Sequence, residues 1–348
     1  MSKDHLSIYS RSDLDTFFTR RPGETRLGET VHTIEGEDWE AMLNSDLFDF
    51  VLLGIPEDIG IRANHGIGNA QPLWPAALTA ILNVQDTEML QGHRLLVLGA
   101  FNFDSLMNAS QEKDPAGLRE LVGKIDEIVT PVIAAVGRAN KIPIVIGGGH
   151  NNAYPLIKGA SSAAGRRVNC INLDAHADFR ALEGRHSGNG FRYAKAEGYL
   201  EKYTVVGLHQ NYNSQAMLNE MDADPDISYS FYEDIFLHQV LSFQDAIENA
   251  TRFTAGSPTG IEIDLDCIER VLSSAMTPAG ITTLQARQFL NQCLRFTATA
   301  WLHITEGALR LTDERSDVLT AKLVAYLVTD FLRGSMNKSP EFIRDTGL

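Results

Sequence analysis

Seven short apolar runs, rich in Val and Ile, recur along the chain and set the strongest limit on its fold. They span 48–55, 93–100, 141–149, 168–175, 203–209, 260–266 and 297–306. Helix-length amphipathic segments, such as 118–141, lie between them. Strands that are apolar on both faces are typical of parallel sheets covered by helices on each side. The sequence therefore predicts an α/β fold with a parallel sheet sandwiched between helices.

The same series predicts the domain organisation. No linker interrupts it, so we expect a single domain over 46–348. The segment 1–45 includes the charged, Gly- and Pro-containing stretch RRPGETRLGET and shows little periodicity. We expect this segment to be an irregular N-terminal extension.

Charge and cysteine usage exclude several classes of partner. The net charge is −15 and no Lys/Arg-rich run occurs, so nucleic acid and anionic membrane surfaces would be repelled. The three cysteines have no C-x-x-C spacing, which argues against a thiolate zinc site and against a disulfide framework. With a polar N-terminus and no apolar stretch of membrane-spanning length, the expected location is the cytoplasm.

Residues that can bind metal ions stand where four of the predicted strands end. They are His150 after the first of these strands, Asp174, His176 and Asp178 after the second, Asp264 and Asp266 after the third, and Glu306 after the fourth. In open α/β sheets the ligand crevice lies beyond the carboxyl ends of the strands. Because strand side chains alternate between faces, residues at i, i+2 and i+4 begin on the same side. We therefore expect two imidazoles and four carboxylates to converge at one point. They are those of His150, His176, Asp174, Asp178, Asp264 and Asp266.

This ligand set predicts a centre for two divalent cations. Four clustered carboxylates repel one another unless cations balance their charge. Oxygen-rich ligands with two imidazoles and no thiolate favour manganese over a structural zinc. Two such ions lower the pKa of water held between them and polarise a bound substrate.

Each motif also has a simpler interpretation when it stands alone. An Asp-x-Asp at a strand end is commonly a helix cap or a loop carboxylate, and the glycines 147–149 can form a plain tight turn or cradle a phosphate. The three motifs together, at successive strand ends, favour the metal centre. A phosphate- or nucleotide-binding α/β module without catalysis remains as a more distant alternative.

At these residues the sequence resembles the arginase, agmatinase and formimidoylglutamase family. The resemblance runs from about Phe48 to the C-terminus and rests on Gly147 to His150, Asp174 to Asp178, and Asp264 to Asp266. It implies an α/β/α sandwich with a mostly parallel eight-stranded sheet, two Mn²⁺ per chain with these residues as ligands, and assembly into a trimer or hexamer. It also implies hydrolysis of a C–N bond in an amidine-type substrate.

Departures from the arginase pattern indicate an acidic substrate. This chain has Gly149 where arginases have Asp, and Arg180 where they have Asn, and in both respects it is similar to formimidoylglutamases. The guanidinium groups of Arg180 and Arg192 would each offer a positive charge and paired N–H donors to a carboxylate. This suits N-formimidoyl-L-glutamate better than cationic arginine or agmatine. Both arginines can instead pair with neighbouring carboxylates of this acidic chain. A urea-releasing hydrolase of guanidino compounds is the alternative within the same chemistry.

The remaining predicted roles concern catalysis and substrate contact. As a hypothesis, Asp178 positions the attacking water and passes a proton to the departing amine, and Glu306 holds the amidinium nitrogens. Asn152 and Asn189 are predicted to position substrate, with stabilisation of their own loops as an equal alternative. The histidine of the arginase S-G-N-x-H pattern is replaced by Phe191. A proton shuttle is therefore sought among His186, His209 and His65, each of which can also be a structural residue.

Overall fold

The computed structural model describes residues 5–36 and 38–336. Within those ranges it contains one nine-stranded sheet covered by helices on both faces. The strands are β1 (Leu6–Ile8), β2 (Phe50–Gly54), β3 (Leu95–Phe101), β4 (Ile142–Ile146), β5 (Val168–Leu173), β6 (Leu200–Leu208), β7 (Ile227–Phe231), β8 (Thr259–Asp264) and β9 (Thr299–Thr305).

Fourteen α-helices lie between or beside these strands within the described part of the chain. They are α1 (Arg11–Leu14), α2 (Leu27–Thr30), α3 (Trp39–Leu43), α4 (Ile59–Ala63), α5 (Leu73–Leu82), α6 (Asp104–Ala109), α7 (Pro115–Arg138), α8 (Ala153–Ala164), α9 (Gly190–Ala196), α10 (Gln215–Asp222), α11 (Tyr232–Phe236), α12 (Phe243–Phe253), α13 (Thr283–Phe296) and α14 (Leu319–Met336). The longest, α7, begins where the Asp114 side chain accepts a hydrogen bond from the Gly117 N–H and Pro115 occupies the first turn. None of the described helices has the length and apolarity of a membrane span.

The strand order is β1-β3-β2-β4-β9-β8-β5-β6-β7, and all pairs are parallel except β1 with β3. Alternate residues of a strand enter opposite cores: Phe50 and Leu52 pack in one, Val51 and Leu53 in the other. Helices α5, α13 and α14 contribute to the first core, and α7 and α8 to the second. Burial of both faces is the reason that these strands are apolar throughout, as the sequence predicts.

The prediction of an α/β/α sandwich is confirmed, with nine strands in place of eight. The seven apolar runs correspond to β2, β3, β4, β5, β6, β8 and β9. Strand β7 was not predicted, because it lies at an edge of the sheet and most of its residues are partly exposed instead of forming an apolar run. Strand β1 is only three residues long and lies within the predicted irregular extension. Residues 1–4 and 337–348, included in the predicted extension and domain, lie outside the described residues.

Pairing of β1 with β3 depends on Gly99. Its φ is +135°, and a Cβ at this position would lie 2.0 Å from the Ser7 carbonyl oxygen. A glycine is required because the two backbones approach so closely. The N-terminal segment is thereby attached to the sheet, and in the rest of its described residues the regular structure is limited to short helices.

Candidate metal centre

Strands β4, β9, β8 and β5 are neighbours in the middle of the sheet, so the segments after them meet at one edge. After β4 the backbone turns at Gly147 and Gly148, whose φ values are +92° and +74°. At Gly148 a Cβ would lie 2.3 Å from Nδ2 of Asn152, so this tight turn needs glycine. The turn delivers His150, which is fully buried.

The first group of candidate ligands surrounds Nδ1 of His150. This atom lies 2.9 Å from Oδ2 of Asp178, 3.0 Å from Oδ2 of Asp264 and 3.2 Å from Oδ2 of Asp174. Three strands supply these four residues, as expected when parallel strands end at one edge of a sheet. Their candidate ligand atoms all lie within 4.8 Å of one another.

A second group shares Asp174 with the first. Nδ1 of His176 lies 3.1 Å from Oδ2 of Asp266 and 3.6 Å from Oδ1 of Asp174. The two oxygens of Asp174 therefore face different groups, one around His150 and one around His176. The structure thus brings together all six residues that the sequence singles out as metal ligands, in an arrangement with places for two adjacent cations.

Burial and mutual repulsion leave this cluster in need of positive charge. Burial and the charges of Asp266 and Asp174 raise the pKa of Asp264 well above its usual range. Burial, followed by the charge of Asp174, raises the pKa of Asp178 to about 6. Burial alone would lower the pKa of His150, but the carboxylates around it raise the pKa well above its ordinary value. Divalent cations would relieve this repulsion.

Buried polar atoms without hydrogen-bond partners also favour a cation at this site. Nδ1 of His150 and Oδ1 of Asp266 are buried without a hydrogen-bond partner. Buried polar atoms of this kind are rare in proteins and call for a ligand or an ion. Imidazole nitrogens and carboxylate oxygens are suitable donors to a manganese-type cation, so the residues fit such a group.

A cleft of about 450 Å³ opens over the cluster, and Asp178 and Glu306 line it together with Arg180 and His65. Oε1 of Glu306 accepts a hydrogen bond of 2.8 Å from the His150 N–H. Burial, followed by the charge of Asp266, raises the pKa of Glu306 to about 8. Arg180 is half-exposed at this cleft, with Nη1 2.8 Å from Oδ1 of Asn64 and Nη2 3.6 Å from Oε1 of Glu183. The pairing with a neighbouring carboxylate that the sequence left open is therefore present, and the roles of Asp178, Glu306 and Arg180 towards substrate remain predictions.

Three other predicted substrate contacts do not line the cleft. Nδ2 of Asn152 donates to Oε1 of Glu57 at 2.7 Å, and the residue is fully buried. Nδ2 of Asn189 donates to the Gly184 carbonyl at 2.8 Å, so this amide stabilises its own loop. Arg192 pairs with Glu220 and lies over the ring of Phe179. The structure thus places these three residues away from the cleft lining, where their contacts fit the alternatives of loop stabilisation for the asparagines and carboxylate pairing for Arg192.

Of the three candidate proton shuttles, only His65 lines the cleft. His186 is fully buried, and its Nδ1 accepts from the Gly188 N–H at 3.1 Å. Burial lowers the pKa of His186 to about 4. His209 is stacked between Tyr212 and Tyr232, at ring distances of 5.2 and 4.4 Å. The geometry thus leaves His65 as the candidate with access to substrate.

Two buried carboxylates near the centre were missed by the sequence interpretation. Glu57 follows β2 and accepts from the Gly149 N–H at 3.2 Å as well as from Asn152, so it braces the turn that carries His150. Glu262 lies two residues before Asp264 on β8, and its Oε2 is 3.3 Å from Nε2 of His150. Both had a signal in the sequence: Glu57 follows a predicted strand, and Glu262 continues the alternation of Asp264 and Asp266.

Comparison with known proteins gives matches of three kinds. The model of the arginase family matches residues 48–331. Formimidoylglutamase of Klebsiella pneumoniae (strain 342) is 34% identical over 178 residues, which cover 49% of this chain and 51% of that protein. Formimidoylglutamase of Corynebacterium efficiens is 25% identical over 256 residues, covering 67% and 74% of the two chains.

Among solved structures, formiminoglutamase of Trypanosoma cruzi with Mn²⁺ superposes with a TM-score of 0.69. The superposition covers 91% of this chain and 100% of that chain at 19% identity. At this identity the likeness shows the fold alone. The alignment with the Klebsiella protein spans about half the length of that relative.

Proposed function

The chain belongs to the arginase family, whose model matches it over residues 48–331, and from this premise we propose that it is a dimanganese hydrolase of N-formimidoyl-L-glutamate. Water would cleave the C–N bond of the formimidoyl group and release glutamate and formamide. The observation that carries the proposal is the pair of ligand groups sharing Asp174 beneath a cleft lined by Arg180.

The metal part of the proposal rests on the six ligand residues. His150, Asp174, Asp178 and Asp264 would hold one ion, and Asp174, His176 and Asp266 the other, with manganese favoured by the oxygen-rich donors. When bound, the ions supply activation of water at neutral pH and stabilisation of developing negative charge. The Trypanosoma structure, solved with Mn²⁺, supports the choice of metal.

The organic part of the reaction falls to side chains in the cleft. Glu306 would hold the amidinium nitrogens, since its carboxyl group lines the cleft and its Oε1 is fixed by the His150 N–H. Asp178, beside the His150 ring, would pass a proton to the amine nitrogen as the C–N bond breaks. Glutamate then leaves with a neutral nitrogen.

Arg180 supports the choice of an acidic substrate over a guanidino compound. Its guanidinium lines the same cleft as Glu306 and is half-exposed. The 3.6 Å ion pair of Arg180 with Glu183 is exposed on both sides, so a ligand carboxylate can replace it at little cost. A guanidinium can bind a carboxylate through paired hydrogen bonds, whereas a cationic substrate such as agmatine would be repelled. Curated formimidoylglutamases among the relatives point to the same substrate class.

Metal analysis followed by an assay panel tests the proposal. The purified protein should contain or take up about two Mn²⁺ per chain. With manganese present, N-formimidoyl-L-glutamate should yield formamide and glutamate, while arginine and agmatine should yield no urea. Urea release would favour the guanidino-hydrolase alternative, and failure to retain manganese would refute the metal centre. Chromatography with light scattering would test the predicted trimer or hexamer.

A further inference from the structure

Nε2 of His150 faces a carboxylate for which the proposed mechanism has no use. Glu262 on β8 is fully buried, and its Oε2 lies 3.3 Å from this nitrogen. Nε2 is itself buried and forms no hydrogen bond with any described residue. Glu262 is therefore the acceptor available to it, whereas Nδ1 of the same ring faces the three aspartates.

Two residues of the neighbouring strand β9 hold Glu262 in place. Nε1 of Trp301 donates to Oε1 at 2.6 Å, and Nδ1 of His303 lies 2.6 Å from Oε2. Nε2 of His303 lies 3.3 Å from the carbonyl oxygen of Gly147, in the turn that leads to His150. Each oxygen of Glu262 thus has a fixed donor, and the arrangement is also attached to the His150 turn.

Hydrogen bonds make this burial tolerable, because a buried carboxylate is costly unless it is paired and hydrogen-bonded. Glu262 meets this condition through Trp301 at one oxygen and His303 at the other.

A carboxylate that accepts Nε2–H leaves the lone pair of a neutral imidazole on Nδ1. In His150 that lone pair then points towards Asp174, Asp178 and Asp264, where the first cation would lie. Partners of this kind orient metal-binding histidines and increase their affinity for the metal. We propose that Glu262 is a positioning residue that fixes the tautomer and orientation of His150, with Trp301 and His303 holding it. This inference rests on the proposed metal centre.

The proposal predicts a selective effect on one of the two ions. Glu262→Gln keeps the side-chain volume but offers one acceptor oxygen where two are needed. The ion held by the His150 group should bind about 10- to 100-fold more weakly, the range seen when such partners are removed, while the ion of the His176 group binds as before. Manganese titrations followed by the electron paramagnetic resonance signal of free Mn²⁺ resolve the two affinities.

Two further variants separate positioning from stabilisation. Thr259→Val is the matched control, because Thr259 is a buried polar residue of the same strand whose Oγ1 bonds to carbonyls of Thr254 and Ser257 instead of the site. It should lower resistance to urea without changing either manganese affinity. His303→Gln should lower the affinity for the same ion as Glu262→Gln does, since Glu262 then loses the ring nitrogen that holds it. If Glu262→Gln fails to fold, His303→Gln tests the proposal in its place.

The outcomes distinguish this inference from the proposed function. Two tight ions in wild type and one weakened ion in the variants support both. Equal weakening of both ions, or no weakening in a folded variant, overturns the role of Glu262 and leaves the metal centre intact. Absence of manganese binding in the wild type overturns both.

Discussion

Replacement of Arg180 by glutamine tests the substrate assignment. Arg180 is the one residue of the predicted arginine pair that lines the cleft, and its side chain is 51% exposed. A hydrogen bond to a charged group contributes about 1.5–3 kcal/mol. Because half of this side chain is in water, screening reduces that to about 1–2 kcal/mol. The expected loss in kcat/KM is therefore about 5- to 30-fold.

The assay is the initial rate of glutamate release from N-formimidoyl-L-glutamate with manganese present. Arg180 is proposed to touch the substrate carboxylate and not the reacting carbon, so the loss should lie mainly in KM with kcat retained. Added salt should reduce the difference between wild type and variant, because exposed charges are screened.

Arg192→Gln provides the matched control, since Arg192 pairs with Glu220 and lies outside the cleft lining. It should leave kcat/KM unchanged. If Arg180→Gln keeps wild-type KM, or if Arg192→Gln loses more than Arg180→Gln, the assignment of Arg180 to a substrate carboxylate is wrong.

Four further predictions address catalysis, pH, metal and fold. Asp178→Asn should fold normally yet lose about 100-fold or more of kcat, since it removes both the proposed proton relay and a proposed ligand of one ion; circular dichroism checks the fold and rate assays check kcat. The raised pKa of Glu306, about 8, means that stability present below its unfolded pKa is lost as pH rises through about 8. In chelator-treated protein, urea denaturation should therefore show that the unfolding free energy of Glu306→Gln rises relative to that of wild type between pH 5 and pH 9. Each manganese site that is filled at 100 times its Kd should add about 2.7 kcal/mol to the unfolding free energy, seen as a rise in Tm. Gly99→Ala should cost about 1–3 kcal/mol in backbone strain alone and expose residues 6–8 to hydrogen exchange, because its Cβ would meet the Ser7 carbonyl.

The central sheet was predictable because its signal is local. A strand covered on both faces must be apolar at every position, and this is visible in runs such as Phe50–Gly54 and Ile142–Ile146. Strand β7 lacks that signal, since only one face of an edge strand needs to be buried. Strand β1 depends on a partner about 90 residues away, and on the glycine that allows the close approach.

Convergence of the candidate ligands was predictable for a similar reason. Alternation along a strand and the common edge of parallel strands together place Asp174, His176 and Asp266 near one another without knowledge of distant contacts. The partners of the asparagines were not accessible in this way. Asn152 bonds to Glu57, which lies 95 residues earlier, and a local pattern cannot show whether such an amide faces a neighbour or the cleft.

Backbone conformation gives an independent reason to assign Asp178 and Glu306 to function. Both have positive φ, 45° and 62°, in a region that favours glycine and costs other residues of order 1–3 kcal/mol. At Glu306 the conformation is held from both sides: its N–H donates to the Gly148 carbonyl at 3.1 Å, and its Oε1 accepts from the His150 N–H at 2.8 Å. Glycine would relieve the strain but remove the carboxylate. A strained carboxylate occupies each of these two positions, both at the cleft over the candidate ligands, and this agrees with the substrate-binding and proton-transfer roles proposed for them.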